Sequence, residues 1–253
     1  METPSHREFL IFTVSPWFRN AYPFEKYRAM IGSILIKSSS MKPIHLLPFL
    51  LFLMVLSACA PSGTPVLPVA SPGAVLYQEE FGDNTSGWDR IANENGTMDY
   101  DGGGYRMLIQ KPDTSMWTTP EKNLGDVRLE ADVFRLSGPQ ENRTGLICRY
   151  QNGDFYFFLI SNDGYYAVGK FIGGQTLLLG QTEMQPSEYI QKEATNHLRA
   201  DCVGNTLTFY VNGFQVASTQ DSDFANGDVG LLAGTFSQPG VDVLFDHFMV
   251  LQP

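Results

Sequence analysis

Apolar and polar positions alternate with a period of two through most of the chain after residue 75, the pattern of strands buried on one face. Across residues 126–136, Val127, Leu129, Ala131 and Val133 fall on one side and Arg128, Glu130 and Asp132 on the other. Residues 196–203 repeat it, with Leu198, Ala200 and Cys202 against His197, Arg199 and Asp201. Between them, residues 145–172 read as three strands, 145–151, 154–161 and 165–172, and the rest of the chain is organised around these. They are separated by Asn152-Gly153 and Asn162-Asp163-Gly164, residues that supply the positive φ a tight hairpin turn needs. The middle strand abandons alternation: residues 155–160 are apolar on both faces. It is therefore covered on both sides or lines an aromatic groove.

Further strands are expected at 75–81, 97–100, 105–110, 116–118, 175–179, 206–211, 214–219, 227–236 and 241–251, with turn signals such as Asp101-Gly102-Gly103-Gly104, Gly204-Asn205 and Asn212-Gly213 between them. Only residues 186–193 are compatible with a helical turn. Roughly twelve to fourteen short strands suit an all-β, two-sheet antiparallel jelly-roll sandwich. No internal repeat is visible.

Charge narrows the partners. The chain carries a net −10. Beyond residue 58 it holds 11 basic and 24 acidic residues, a net charge of −13. Such a surface repels phosphate backbones, and no basic patch interleaved with aromatics offsets it, so nucleic acid is not an expected partner.

Residues 41–59, MKPIHLLPFLLFLMVLSAC, follow a different pattern: one cation (Lys42), an apolar run from Leu46 to Leu56, then Ser57, Ala58 and Cys59. This resembles a bacterial lipoprotein signal with its lipobox, which implies cleavage after residue 58 and a lipidated Cys59. An ordinary signal peptide and a membrane anchor are the alternatives. The run of about 11 apolar residues is short of the roughly 20 that span a bilayer. Residues 1–40 fit poorly ahead of such a signal and are read as a non-native or disordered extension. Residues 59–74, rich in Pro, Ser and Gly, read as a flexible tether on the order of 40–45 Å long. The expected address is the bacterial cell surface, with acyl chains on Cys59 holding the domain to the membrane.

The segments EEFGDNTSGW, GGGYRMLI, GLICRYQNGDFYFFLISNDGYYAVGK, NHLRADCVGNTLTFYVNG and VLFDHFMV carry a resemblance over residues 75–253. The domain is similar to the concanavalin A-like lectin/glucanase superfamily, near the group of the 3-keto-disaccharide hydrolase and laminin-G-like domains. The resemblance implies the sandwich fold. It also implies a structural Ca2+ where the first and last strands meet, with Glu80, Asp83 and Asp246 as its oxygen ligands.

Family-16 glycoside hydrolases place three carboxylates on one face of one strand. Here Glu130 and Asp132 share a face, but the third place falls on Phe134, or on Arg135 if the strand is bulged. Neither is a carboxylate acid/base, so no catalytic residue is assigned. His197 and His247 read as surface histidines, with no HxH or HExxH spacing. Cys148 and Cys202 are an even pair once Cys59 is set aside, and both are expected to face inward, Cys148 sharing its face with Leu146 and Tyr150. They form a disulfide or two buried thiols. Trp117, Tyr150, Tyr156, Phe158, Tyr165 and Tyr166 supply aromatic surface for one concave sheet on which pyranose rings could stack, or else core.

These features favour a non-catalytic module that binds carbohydrate. An enzyme of the 3-keto-disaccharide hydrolase type and an adhesion domain with a protein partner are the alternatives.

Overall fold

The computed structural model describes residues 71–253. The expected extension, lipoprotein signal, lipidated Cys59 and most of the expected tether, residues 1–70, lie outside the described residues. Residues 71–74, expected as the end of the tether, form a turn pinned to Gln252: Gly73 donates its N–H to the carbonyl of Gln252 at 2.8 Å, and the Gln252 N–H donates back to the Ala74 carbonyl at 2.8 Å.

Sixteen strands follow. The first six are β1 (Val75–Glu79), β2 (Ile91–Asn93), β3 (Gly96–Asp101), β4 (Gly104–Ile109), β5 (Ser115–Thr118) and β6 (Val127–Ser137). The central meander is β7 (Asn142–Gln151), β8 (Asp154–Ser161), β9 (Tyr165–Ile172) and β10 (Gln175–Leu178), with the two-residue β11 (Gln185–Pro186) after it. The chain closes with β12 (Asn196–Val203), β13 (Thr206–Val211), β14 (Phe214–Gln220), β15 (Asp228–Thr235) and β16 (Val241–Leu251).

All pairings are antiparallel. One sheet has nine strands in the order β14-β13-β12-β6-β16-β4-β3-β2, with β1 also on β16. The other has seven in the order β10-β9-β8-β7-β15-β5, with β11 on β9. Residues 186–193 form no helix. Pro186 instead pairs with Tyr165, Ser187 donates its N–H to the Gly164 carbonyl, and residues 188–189 make a single turn.

The core fills the space between the sheets. The inward residues of β6 and β12 meet there, as alternation requires: Leu129, Ala131, Leu198 and Ala200 are all buried. The doubly apolar β8 serves two layers. Tyr156, Phe158 and Ile160 enter the main core, while Phe155, Phe157 and Leu159 join Ile147, Ala167 and Leu232 in a second cluster on the outer face of the seven-stranded sheet. Gly145 allows β7 to approach β8 closely, because a Cβ there would sit 1.9 Å from the carbonyl oxygen of Phe158. Cys148 on β7 and Cys202 on β12 form a disulfide, so a covalent bond joins the two sheets across the core.

One expected face is overturned within β7. Tyr150 does not share the inward side of Cys148. The register against both neighbours shifts after Cys148, with Arg149 at φ 55°, and the bulge puts two successive residues out of step. Arg149 becomes buried, its guanidinium donating to the carbonyl of Phe224 at 2.7 Å and to Asp126 at 3.1 Å. Tyr150 packs instead against the outer cluster.

Candidate functional site

The six expected aromatics do not share one sheet face. The structure divides them among three places. Tyr156 points into the core, where its hydroxyl donates to Asp221 at 2.6 Å and accepts from the Phe224 N–H at 3.1 Å. Burial, and then the neighbouring Asp221, push its pKa up to about 12. Phe158 is also core. Trp117 and Tyr150 flank the outer cluster, Trp117 lying 5.2 Å from the Phe155 ring and 5.8 Å from Phe171. Tyr165 and Tyr166 are adjacent on β9 and so point to opposite faces. Both nevertheless line a cleft at the edge of the sandwich, because a loop folds over the end of that strand.

This cleft, about 660 Å3, lies between the β8–β9 turn, the loop around β11 and the edge strand β14. Tyr165, Tyr166, Tyr189, Glu188, Lys192 and Gln215 are among its walls. Burial raises the pKa of Tyr166, which keeps its hydroxyl protonated and able to donate. At the rim, the rings of Tyr189 and Phe214 stack at 4.1 Å and 7°, and they stay 37% and 52% exposed.

Asparagines hold this geometry. The loop's Ser187 donates to the Gly164 carbonyl at 2.9 Å, and Asn162 donates to the Lys192 carbonyl at 3.3 Å. Buried Asn196 accepts from Gln191 N–H and donates to the Gln191 carbonyl, both at 2.8 Å. Asn212, expected only as a hairpin-turn residue and found at φ 52°, also donates to the Tyr189 carbonyl at 2.7 Å and accepts from the His197 N–H at 2.8 Å. The β13–β14 turn and the aromatic plate are thus built together. The sequence signal, Asn at a positive-φ turn position, was present, but its side-chain partners lie far along the chain.

A second constellation sits on the outer face of the nine-stranded sheet. Glu130 and Asp132 share that face as expected, and His197 and His247 are at the surface as expected, but the two histidines meet there. Asp132 lies between them, 2.8 Å from His197 Nδ1 and 3.2 Å from His247 Nδ1. Direct pairing of β6 with both β12 and β16 brings them together: His197 and Asp246 are each opposite Asp132. His247 reaches in because β16 bulges against β6 between Asp246 and Met249, with His247 at φ 50°. Phe134, at the third place of the strand pattern, is 39% exposed, and Arg135 pairs with Glu193 at 2.7 Å.

The expected calcium ligands divide. Glu80 and Asp246 converge, each offering an oxygen within 4.8 Å of the other and of an imidazole nitrogen of His247. Asp83 is not with them. Its carboxylate folds back onto Thr85, accepting from the N–H at 2.9 Å and the hydroxyl at 2.5 Å, and these bonds lower its pKa. A turn-forming Asp so close in sequence satisfies its own loop first.

The architecture is a two-sheet antiparallel jelly-roll sandwich. No protein-family model matches the chain, and no curated protein sequence matches it significantly. Among solved structures it is similar to the carbohydrate-binding module CBM66 from Bacillus subtilis, at 18% identity and a TM-score of 0.54, over 66% of this chain and 96% of that one. A galectin-like protein of unknown function from Bacillus subtilis aligns at 12% identity and 0.55, over 72% and 97%. A laminarinase from Flavobacterium sp. UMI-01 aligns at 12% and 0.51, over 71% and 100%. At such identities the likeness is one of fold.

Proposed function

We propose that this protein is a lipid-anchored, extracytoplasmic, non-catalytic module that binds carbohydrate in the cleft beside Tyr189. One observation carries the reading: a stacked, solvent-exposed aromatic plate, Tyr189 and Phe214, borders a cleft whose walls offer Lys192, Glu188, Gln215 and tyrosine hydroxyls. A sugar ring presents an apolar C–H face and a rim of hydroxyls. An aromatic plate flanked by donors and acceptors matches both at once. The similarity in fold to a carbohydrate-binding module agrees with this. The non-catalytic reading is supported by strand β6, which has a phenylalanine where a third carboxylate would serve, and by Asp132, whose two oxygens each face an imidazole. The signal-like residues 41–59 support the anchor and the address.

Calorimetric titration of the purified protein against a panel of oligosaccharides and 3-keto-glycosides, with products assayed in parallel, tests the reading. Saturable binding without product is expected, and Tyr189→Ala should weaken it about tenfold, or about 1.4 kcal/mol. Product release would replace the module with the 3-keto-disaccharide hydrolase alternative. No heat from any sugar would move the assignment to an adhesion domain with a protein partner.

A further inference from the structure

We infer that the cleft beside Tyr189 faces away from the membrane that holds the chain and takes glycan presented in trans, on a polysaccharide beyond the domain, in place of glycolipid headgroups of that same membrane. The inference rests on the anchor and the carbohydrate cleft proposed above, and the strand registers carry it.

The point where the chain enters the domain and the cleft sit at opposite corners of the nine-stranded sheet. Entry is fixed where Gly73 bonds to Gln252, one residue past Leu251. Leu251 lies opposite Arg128 on β6, Arg128 opposite Asp201 on β12, and Asp201 opposite Thr208 on β13. The cleft is built at the other end of these strands. Tyr189 hangs by its carbonyl from the Asn212 side chain, and Asn212 donates its N–H to the carbonyl of His197, which lies opposite Asp132 on β6. From the level of Gln252 to that of Asn212 is about five residues, or ~17 Å along the strands.

Sideways the two points are further apart. β1 flanks β16 on the edge away from β6, because β6 occupies the other edge of the same residues. The cleft, by contrast, has Gln215 and Val216 of β14 in its wall. The order β1, β16, β6, β12, β13, β14 puts about five spacings of about 4.8 Å between them, or ~24 Å. Together the two offsets make a separation of about 30 Å.

The length of chain ahead of the domain turns this separation into a preference. From Cys59 to Gly73, the expected tether measures about 43 Å drawn straight at about 3.1 Å per residue, and about 20 Å r.m.s. as a flexible chain. For the cleft to rest on the membrane, the entry corner must stand about 30 Å above it, so the tether must be pulled well past its r.m.s. span. With the entry corner toward the membrane there is no such demand, and the cleft opens outward. Charge acts in the same direction. The net −13 beyond residue 58, from 11 basic and 24 acidic residues, is repelled by anionic lipid.

The test reads orientation without a sugar. The full chain, purified in lipidated form from a bacterial host, is placed in vesicles of phosphatidylethanolamine and phosphatidylglycerol that carry a maleimide-headgroup lipid. Val75→Cys puts a thiol at the entry corner, at a position 55% exposed, and Gln191→Cys puts one beside Lys192 at the cleft, also exposed. Cys148 and Cys202 are held in their disulfide. Residue 75 should couple to lipid of its own vesicle about tenfold faster than residue 191, because stretching the tether lowers the effective concentration at the cleft. With the maleimide lipid confined to a second vesicle population, residue 191 should be the faster and should join the vesicles. Equal coupling within one vesicle, or faster coupling at residue 191, would overturn the inference. So would a chain that fails to stay with the vesicles, because the anchor would then be missing. The glycan is read separately, by the calorimetric titration above. Sugar binding together with equal coupling rates overturns the inference and leaves the carbohydrate reading standing, whereas no heat from any sugar overturns both.

Discussion

The Cys148–Cys202 disulfide makes the most quantitative prediction. It joins the middle of β7 to the far end of β12, 54 residues apart in sequence, and both cysteines are fully buried. In the folded protein the two strands lie in different sheets, and apolar packing already holds them together. The crosslink therefore acts mainly on the unfolded chain, by forbidding conformations in which these residues separate. For a closed loop of this length the chain-entropy estimate is about 4 kcal/mol. Cys148→Ala/Cys202→Ala and the wild type in reductant should each lose a stability of that order. The readout is urea unfolding followed by tryptophan fluorescence. With a slope of about 2 kcal/mol per molar, the midpoint should fall by about 2 M. The slope itself should rise modestly, because an unfolded chain relieved of its crosslink is less compact and exposes more surface. A fall of less than about 0.5 M in both arms would refute the reasoning, because it would mean the separated strands are no freer than the linked ones. A stapled core also suits an oxidising compartment, in line with the exported address proposed above.

Two further predictions concern pH and the anchor. Burial is the main cause that raises the pKa values of Tyr77 and Tyr156 to about 12 from 10.0, and burial moves Tyr105 the same way. Folded values above the unfolded one mean the contribution is complete below about pH 10 and is lost as pH climbs toward 12. The urea midpoint should therefore drop between pH 10 and pH 12, and Tyr156→Phe should show a shallower drop; an unchanged slope in that variant would exclude Tyr156 as a contributor. For the anchor, metabolic labelling with radioactive palmitate in a bacterial host should mark the wild-type chain and leave Cys59→Ala unlabelled. Equal labelling of both would remove Cys59 as the lipidated residue.

Much of the fold was legible because strand faces follow a local rule. Alternation alone assigned the inward and outward residues of β6 and β12, and Asn-Gly or Asp-Gly located the hairpins of the central meander. The rule failed where one residue was inserted. Nothing in the sequence around Arg149 announces a bulge, yet that single residue at φ 55° reverses the face of Tyr150. The same limit applied to the sites. Tyr165 and Tyr166 reach one cleft because a loop some twenty residues later wraps the strand end, a tertiary fact with no local signature. His197 and His247 are 50 residues apart, and each is unremarkable in its own strand. Their meeting across Asp132 depends on β6 lying between β12 and β16, an order that strand patterns do not encode.

The strand β6 is also where the binding and enzymatic readings make opposing demands on the same atoms. A retaining glycosidase needs two carboxyl groups about 5–5.5 Å apart, one to attack as nucleophile and the other to serve first as acid and then as base. Glu130 and Asp132 share a face, so spacing alone would allow the comparison. Their neighbours argue otherwise. Asp132 has one imidazole on each oxygen, and the nearer, His197, also stands 3.8 Å from Glu130. For Asp132 to attack a sugar it would first have to release both rings, and the place two residues further on offers only the Phe134 ring. A carboxylate held between two histidines is better suited to fixing the direction of those rings than to forming a bond. The same arrangement that weakens the glycosidase reading is what aims His247 at Glu80.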